Sequence, residues 1–160
     1  PTAPPVIPKQ NVLVSDLQLT LRGVTPESVT SLVRVQWELI MSEFVETFYK
    51  ENLFYGVEEV GVTTKVITTL LHDYRRLEAD TDEEYERRVL QQGNNNAVDI
   101  IYTQSVEFVS ANSFKTALKI VTDPFTEEST QFQYLQQLRS NIDAFKPVSS
   151  MTPVSSNPLR

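Results

Sequence analysis

The stretch Val98-Asp99-Ile100-Ile101-Tyr102-Thr103-Gln104-Ser105-Val106-Glu107-Phe108 decides how this 160-residue chain folds. Val98, Ile100, Tyr102, Val106 and Phe108 fall on one side of an extended backbone, and Asp99, Thr103, Ser105 and Glu107 on the other. Alternation with a period of two marks a strand with one face buried and one face wet. A one-sided apolar sheet must be covered by another layer, so the neighbouring segments are read for helices and further strands.

Upstream, Val57 to Tyr74 is dense in β-branched residues, among them Val60, Val62, Thr63, Thr64, Val66 and Ile67, and predicts a long second strand. Gly61 inside it marks a bulge or a close backbone approach. Between the two strands, Arg75 to Ala97 is charged and ends in Gln91-Gln92-Gly93-Asn94-Asn95-Asn96, the turn chemistry of a long hairpin. Thr81-Asp82-Glu83-Glu84 either caps a short helix, supported by Glu83–Arg87 and Glu84–Arg88 pairs, or the strand continues through Tyr85, Arg87 and Val89.

Nearer the start, Leu13, Leu17, Leu19 and Leu21 alternate with Asp16, Gln18, Thr20 and Arg22, which predicts the first strand. Gly23-Val24 leads to Thr25-Pro26-Glu27, a capping hydroxyl, a first-turn proline and an acid at the positive end of a helix dipole, so a helix is expected from Pro26. Val29, Leu32, Val33, Trp37, Ile40 and Met41, followed by Phe44, Val45 and Phe48, recur at steps of three and four through about Tyr49. Trp37, the only tryptophan, sits in mid-stripe and is read as core rather than as a ligand-stacking ring.

Downstream, Ser113 can cap a helix whose stripe is Phe114, Ala117, Leu118 and Val121, ending at Asp123-Pro124 because a residue before proline avoids the α region. Thr126 caps a second helix led by Glu127 and Glu128, with Phe132, Leu135, Leu138, Ile142 and Phe145 on its apolar side. Lys146-Pro147 stops it, and Val148 to Val154 is either linker or an added edge strand. The order β-α-β-β-α(-β) predicts an α+β fold in which an antiparallel sheet carries helices on one face, as in ferredoxin-like proteins. The expected organisation is a proline-rich linker over residues 1–10, one α+β domain over 11–146, and a Ser/Thr/Pro-rich linker or edge strand over 147–160.

Composition narrows function. The net charge of −7 runs against nucleic-acid binding, which needs a basic footprint, and against anionic membranes. The absence of cysteine removes disulfides, zinc-thiolate sites and thiol nucleophiles. No run approaches the roughly 18 apolar residues of a membrane span, and the first residues lack the form of a signal peptide. The four glycines, Gly23, Gly56, Gly61 and Gly93, are isolated and cradle no phosphate. His72, the only histidine, is followed by Asp73, but strand neighbours point to opposite faces and make no relay.

The acidic run Glu78 to Glu86 offers Asp80, Asp82 and Glu84 as oxygen ligands for calcium. It lacks the glycine and distal glutamate of an EF-hand, and Arg75, Arg76, Arg87 and Arg88 compensate it, so a salt-bridged hairpin tip is expected. No Asn-X-Ser/Thr acceptor exists, which leaves O-linked sugars on Ser149, Ser150, Thr152, Ser155 and Ser156 against a bare linker. No catalytic, cofactor-binding or metal-binding residue is assigned, and no cofactor is expected.

The element order, the long hairpin with Gly93 before the third strand, and the Ser/Thr/Pro flank resemble a SEA domain over Val12 to about Val154. That resemblance implies a ferredoxin-like extracellular module of the kind set between mucin-like stalks and membrane anchors. The family's chemical motif is Gly-Ser followed by aliphatic residues, the serine attacking the strained preceding peptide bond. Here the position reads Gly93-Asn94-Asn95-Asn96-Ala97-Val98, without the serine, so the resemblance implies an uncleaved variant.

The expected function is a non-enzymatic extracellular structural or interaction module of a larger surface or filament-forming protein. Its expected partners are other proteins, copies of itself through tail strand addition, and carbohydrate. The alternative is an intracellular ferredoxin-like domain binding a regulatory partner or a small apolar ligand near Trp37, Phe44, Tyr102 and Phe108. An enzyme built on Tyr, Asp or Glu as acid and base is the third class. Denaturing mass spectrometry of the purified chain should return one species of full mass; two fragments parted after Gly93 would contradict the uncleaved reading.

Overall fold

The computed structural model describes residues 9–52, 56–71, 83, 97–110 and 116–156. Strand β1 (Gln10–Arg22) runs antiparallel to β3 (Ala97–Ser110), with Leu17, Leu19 and Leu21 opposite Tyr102, Ile100 and Val98. Strand β2 (Val57–Leu71) pairs antiparallel on the other side of β3, setting Val62 against Val106 and Val66 against Tyr102. Residues opposite one another in a ladder share a face, so these three strands present one continuous apolar surface. Two short strands, β4 (Ser150–Met151) and β5 (Ser155–Ser156), pair with the free side of β1, and the order is β2-β3-β1-β4. This is the α+β, ferredoxin-like arrangement expected from the element order.

The sheet curls at bulges. Between Val14 and Leu17 strand β1 gains one residue on β3, and Asp16 takes a left-handed φ of 58°. An extra residue reverses the side-chain alternation beyond it. Leu13, expected inside with Leu17, is therefore 66% exposed, and Val14 is buried in its place. Strand β2 bulges between Glu58 and Gly61, where Glu59 (φ 53°) rather than the glycine is left-handed, and again between Val66 and Thr68.

Helix α1 (Ser31–Glu51) begins five residues later than the Thr25-Pro26-Glu27 signal suggests. Pro26–Ser28 makes a single 3-10 turn, and Val29 then leaves helical geometry (φ −92°, ψ 77°) and buries its side chain. Thr30 becomes the cap, its hydroxyl accepting from the Val33 N–H at 3.3 Å. Trp37, Met41, Phe44, Val45 and Tyr49 line the buried side, whereas Leu32 is 68% exposed.

A polar seam fixes α1 to the outer edge of β2. Arg34 Nη2 donates to Thr69 Oγ1 at 3.2 Å, and Glu38 Oε2 accepts from the Val66 N–H at 2.7 Å. The Ser42 and Thr64 hydroxyls meet at 2.7 Å, and Glu46 Oε1 accepts from the Val62 N–H at 2.8 Å. Four helix residues rise about 6.0 Å and two strand residues about 6.6 Å, so an antiparallel helix and strand stay in step over this length. The carboxylates occupy edge donors that would otherwise recruit a foreign strand.

Helix α2 (Ala117–Thr122) is capped by Thr116, whose hydroxyl accepts from the Lys119 N–H at 3.3 Å; the Ser113 cap lies outside the described residues. It ends before Asp123-Pro124 as expected, but Asp123 keeps helical angles (φ −57°, ψ −37°) and the chain continues as a 3-10 turn, Asp123–Phe125. That turn places Pro124 and Phe125 in the interior. Helix α3 (Glu128–Asn141) has Glu127 at its N-cap position; Thr126 does not cap it but donates back to the Asp123 carbonyl at 2.9 Å. Leu135 and Leu138 are buried as predicted and Tyr134 joins them, while Leu118 and Phe132 face outward. Ile142 and Phe145 are buried beyond the helix end, Phe145 on a last 3-10 turn.

The chain then returns to β1. Ser149 N–H donates to the Arg22 carbonyl at 2.9 Å and Thr152 N–H to that of Thr20 at 3.0 Å, while Val148, Met151 and Val154 are buried. Arg139 Nε on α3 donates to the Val148 carbonyl at 2.7 Å. Gly23 makes this return possible: it has φ +98°, and a Cβ there would lie 2.3 Å from the Pro147 carbonyl oxygen. Gly23→Ala should therefore cost more than about 2 kcal/mol, measured by urea unfolding. An unchanged midpoint would mean that the tail does not lie against Gly23.

Candidate binding groove

Phe44 joins the two main helices. Its ring centroid lies 5.2 Å from Tyr134 on α3 and 5.5 Å from Phe125, and those two rings meet edge-on at 5.2 Å. Such tilted and edge-to-face contacts hold α1 and α3 side by side without close backbone packing. The space above this aromatic floor is an open groove of about 380 Å³.

Each wall of the groove is one helical row. Phe44, Thr47, Phe48 and Glu51 follow the three-and-four spacing of α1, and Gln133, Gln136 and Gln137 follow it on α3. Phe48 is half-buried, and Phe132, predicted to be core, is 57% exposed at the groove. Asn52 Nδ2 donates to the Phe48 carbonyl at 2.7 Å, and Thr130 Oγ1 to that of Glu127 at 3.2 Å. Among the described residues the lining carries one acid, Glu51, and no lysine or arginine. It offers hydrogen bonds and ring surface without cationic charge.

Beneath the helices lies a second feature that the sequence did not disclose. Gln104, on the inward face of β3, donates to Thr64 Oγ1 at 3.0 Å and so extends the seam's Ser42–Thr64 pair into the core. The Gln104 Oε1, Trp37 Nε1, Tyr102 Oη and Tyr134 Oη atoms are buried with no hydrogen-bond partner among the described residues. Burial pushes both tyrosine hydroxyls well above their usual range, and for Tyr134 the neighbouring Tyr102 adds to the rise. The Trp37 indole N–H offsets part of the Tyr134 shift without completing a hydrogen bond.

Trp37, Phe44, Tyr102 and Phe108, the residues named for an apolar ligand, are all buried, and Trp37 and Tyr102 stack edge-on at 5.0 Å. They pack on the other core side chains. Of the acidic run 78–86 only Glu83, exposed and helical, belongs to the described residues; His72, Asp73, the four arginines and Gly93 lie outside them. In the tail, Thr152 Oγ1 accepts from the Thr20 N–H at 3.1 Å, whereas Ser155 and Ser156 are exposed. No helix among the described residues is long and apolar enough to cross a membrane.

A second depression of about 310 Å³ lies between α1 and the start of β2, beside Glu46, Tyr49 and Glu59. Two of its polar groups are already engaged, Glu46 with Val62 and the Tyr49 hydroxyl with the Ile120 carbonyl at 2.8 Å. No protein-family model matches the chain, and no curated protein or solved structure is significantly similar to it.

The two kinds of buried polar group should respond oppositely to mutation. Tyr102→Phe removes a hydroxyl that has no partner and should raise unfolding stability by about 1 kcal/mol, whereas Thr64→Val breaks the Ser42–Thr64–Gln104 chain and should lower it by about 1–2 kcal/mol. Urea unfolding of both variants checks this, and a loss of stability in Tyr102→Phe would mean that its hydroxyl is bonded in solution.

Proposed function

We propose that this chain is a non-enzymatic structural and interaction module of a larger surface or filament-forming protein, acting outside the cell as an uncleaved SEA-like spacer. The composition of the Pro-rich head supports that setting, because such segments act as extended spacers. The observation that carries the reading is the attachment of the tail. It is held to β1 by two short ladders, Leu21–Met151 with Arg22–Ser150 and Leu17–Ser156 with Gln18–Ser155.

Main-chain pairing of this kind is indifferent to whether the tail comes from the same chain or from a neighbour. Exchange of an identical element between copies links them at little energetic cost. The same contacts that close the fold then become the joints of an assembly. Val148, Met151 and Val154 supply the buried side chains that would anchor a donated tail.

Light scattering after size-exclusion chromatography, run over a wide concentration range, tests the proposal on the full chain with and without an excess of a peptide copying residues 147–160. Assemblies that grow with concentration and fall to monomers when the peptide is added are expected. A full chain that stays monomeric at every concentration would contradict tail exchange.

A further inference from the structure

We propose that the groove between α1 and α3 binds a neutral saccharide chain. The proposal rests on reading the protein as an interaction module and gives one partner its chemistry. Sugars present two kinds of surface, hydroxyl groups around the rim of the ring and a patch of axial C–H groups on its face. The groove answers both. Gln133, Gln136 and Gln137 each carry a donor and an acceptor on one uncharged planar group, and adjacent sugar hydroxyls donate and accept at matching spacing. Phe132, 57% exposed at the groove, supplies an aromatic face for the C–H patch.

The glutamine amides have no hydrogen-bond partner among the described residues, so binding a sugar displaces only water from them. They stand at positions i, i+3 and i+4 of a helix whose opposite side is pinned by Tyr134, Leu135 and Leu138. A rigid helix therefore spaces the three amides, although each side chain must still give up rotamer freedom on binding. At about 380 Å³ the groove falls near the lower end of ligand-site volumes, enough for one or two sugar rings.

Charge decides which saccharides fit. With Glu51 in the lining, no cation there among the described residues and a net charge of −7, a sulfated, phosphorylated or carboxylated sugar would be repelled. A peptide fits less well than a sugar. Both walls are helices whose backbone groups are already bonded internally, so an extended chain would find no ladder to join.

The test is a nuclear magnetic resonance titration of the isotope-labelled full chain with four neutral trisaccharides, built from glucose, galactose, mannose and N-acetylglucosamine. Sialyllactose and a peptide copying residues 147–160 are titrated alongside. At least one neutral sugar should shift the side-chain amide signals of Gln133, Gln136 and Gln137, saturating below about 20 mM. Phe132→Ala and Gln136→Ala alter exposed side chains, should leave the remaining spectrum intact, and should weaken that sugar by about tenfold each.

Four outcomes would overturn the proposal: no shift with any neutral sugar, equal binding of sialyllactose, shifts with the peptide alone, or sugar binding indifferent to both substitutions. Loss of the sugar site would leave the scattering result untouched. Loss of tail-dependent assembly would leave the sugar shifts in place, so the two readings fail separately.

Discussion

The α1–β2 seam is the constraint on which the rest of the arrangement depends. Glu38 and Glu46 each hold a backbone N–H of the outermost long strand, and Ser42 holds Thr64 between them. A helix bound to a strand at several successive steps can neither slide nor rotate. Its direction across the sheet is thereby set, and so is the side it turns inward, which carries Trp37, Met41, Phe44 and Val45. Phe44 then decides where α3 can lie, because Tyr134 and Phe125 must close around its ring. The groove above those rings is a consequence of that spacing.

The two edges of the sheet are closed by different means. On β2, side-chain carboxylates occupy the free donors; on β1, the chain's own tail supplies main-chain partners. Edge strands left bare invite association, and both solutions remove that hazard at the scale of single hydrogen bonds. They differ in reversibility. A carboxylate on its own helix cannot be exchanged between molecules, whereas a tail held by two short ladders can. Under the tail exchange proposed above, contacts between copies would form on the β1 side.

Much of this was legible in the residues themselves. The alternation of Val98, Ile100, Tyr102, Val106 and Phe108 gave the central strand its inner face, and all five are buried. Leu13 was misplaced because period-two counting assumes an unbroken strand, and nothing in Val14-Ser15-Asp16 announces a bulge other than an aspartate able to tolerate a left-handed φ. The start of α1 was misplaced for a tertiary reason. Thr25-Pro26-Glu27 is a sound local signal, but Val29 is worth more in the core than in a continuous helix, so the chain restarts at Thr30. The groove and the seam were not visible because they join residues far apart in the chain; Glu38 and Val66 are brought together only when the sheet exists. One signal was available in Gln131-Phe132-Gln133-Tyr134-Leu135-Gln136-Gln137, where glutamines recur beside an aromatic on the outward side of a helix.

The most direct test of the account is amide hydrogen exchange at Val62 and Val66. In the native chain both should be protected to a degree comparable with amides of β3, despite lying on an outer strand. Glu46→Ala should release Val62, and Glu38→Ala should release Val66, each leaving the β1–β3 amides unchanged. Rapid exchange at both positions in the native chain, or protection that survives both substitutions, would show that the helix does not hold the edge and that its placement has another cause.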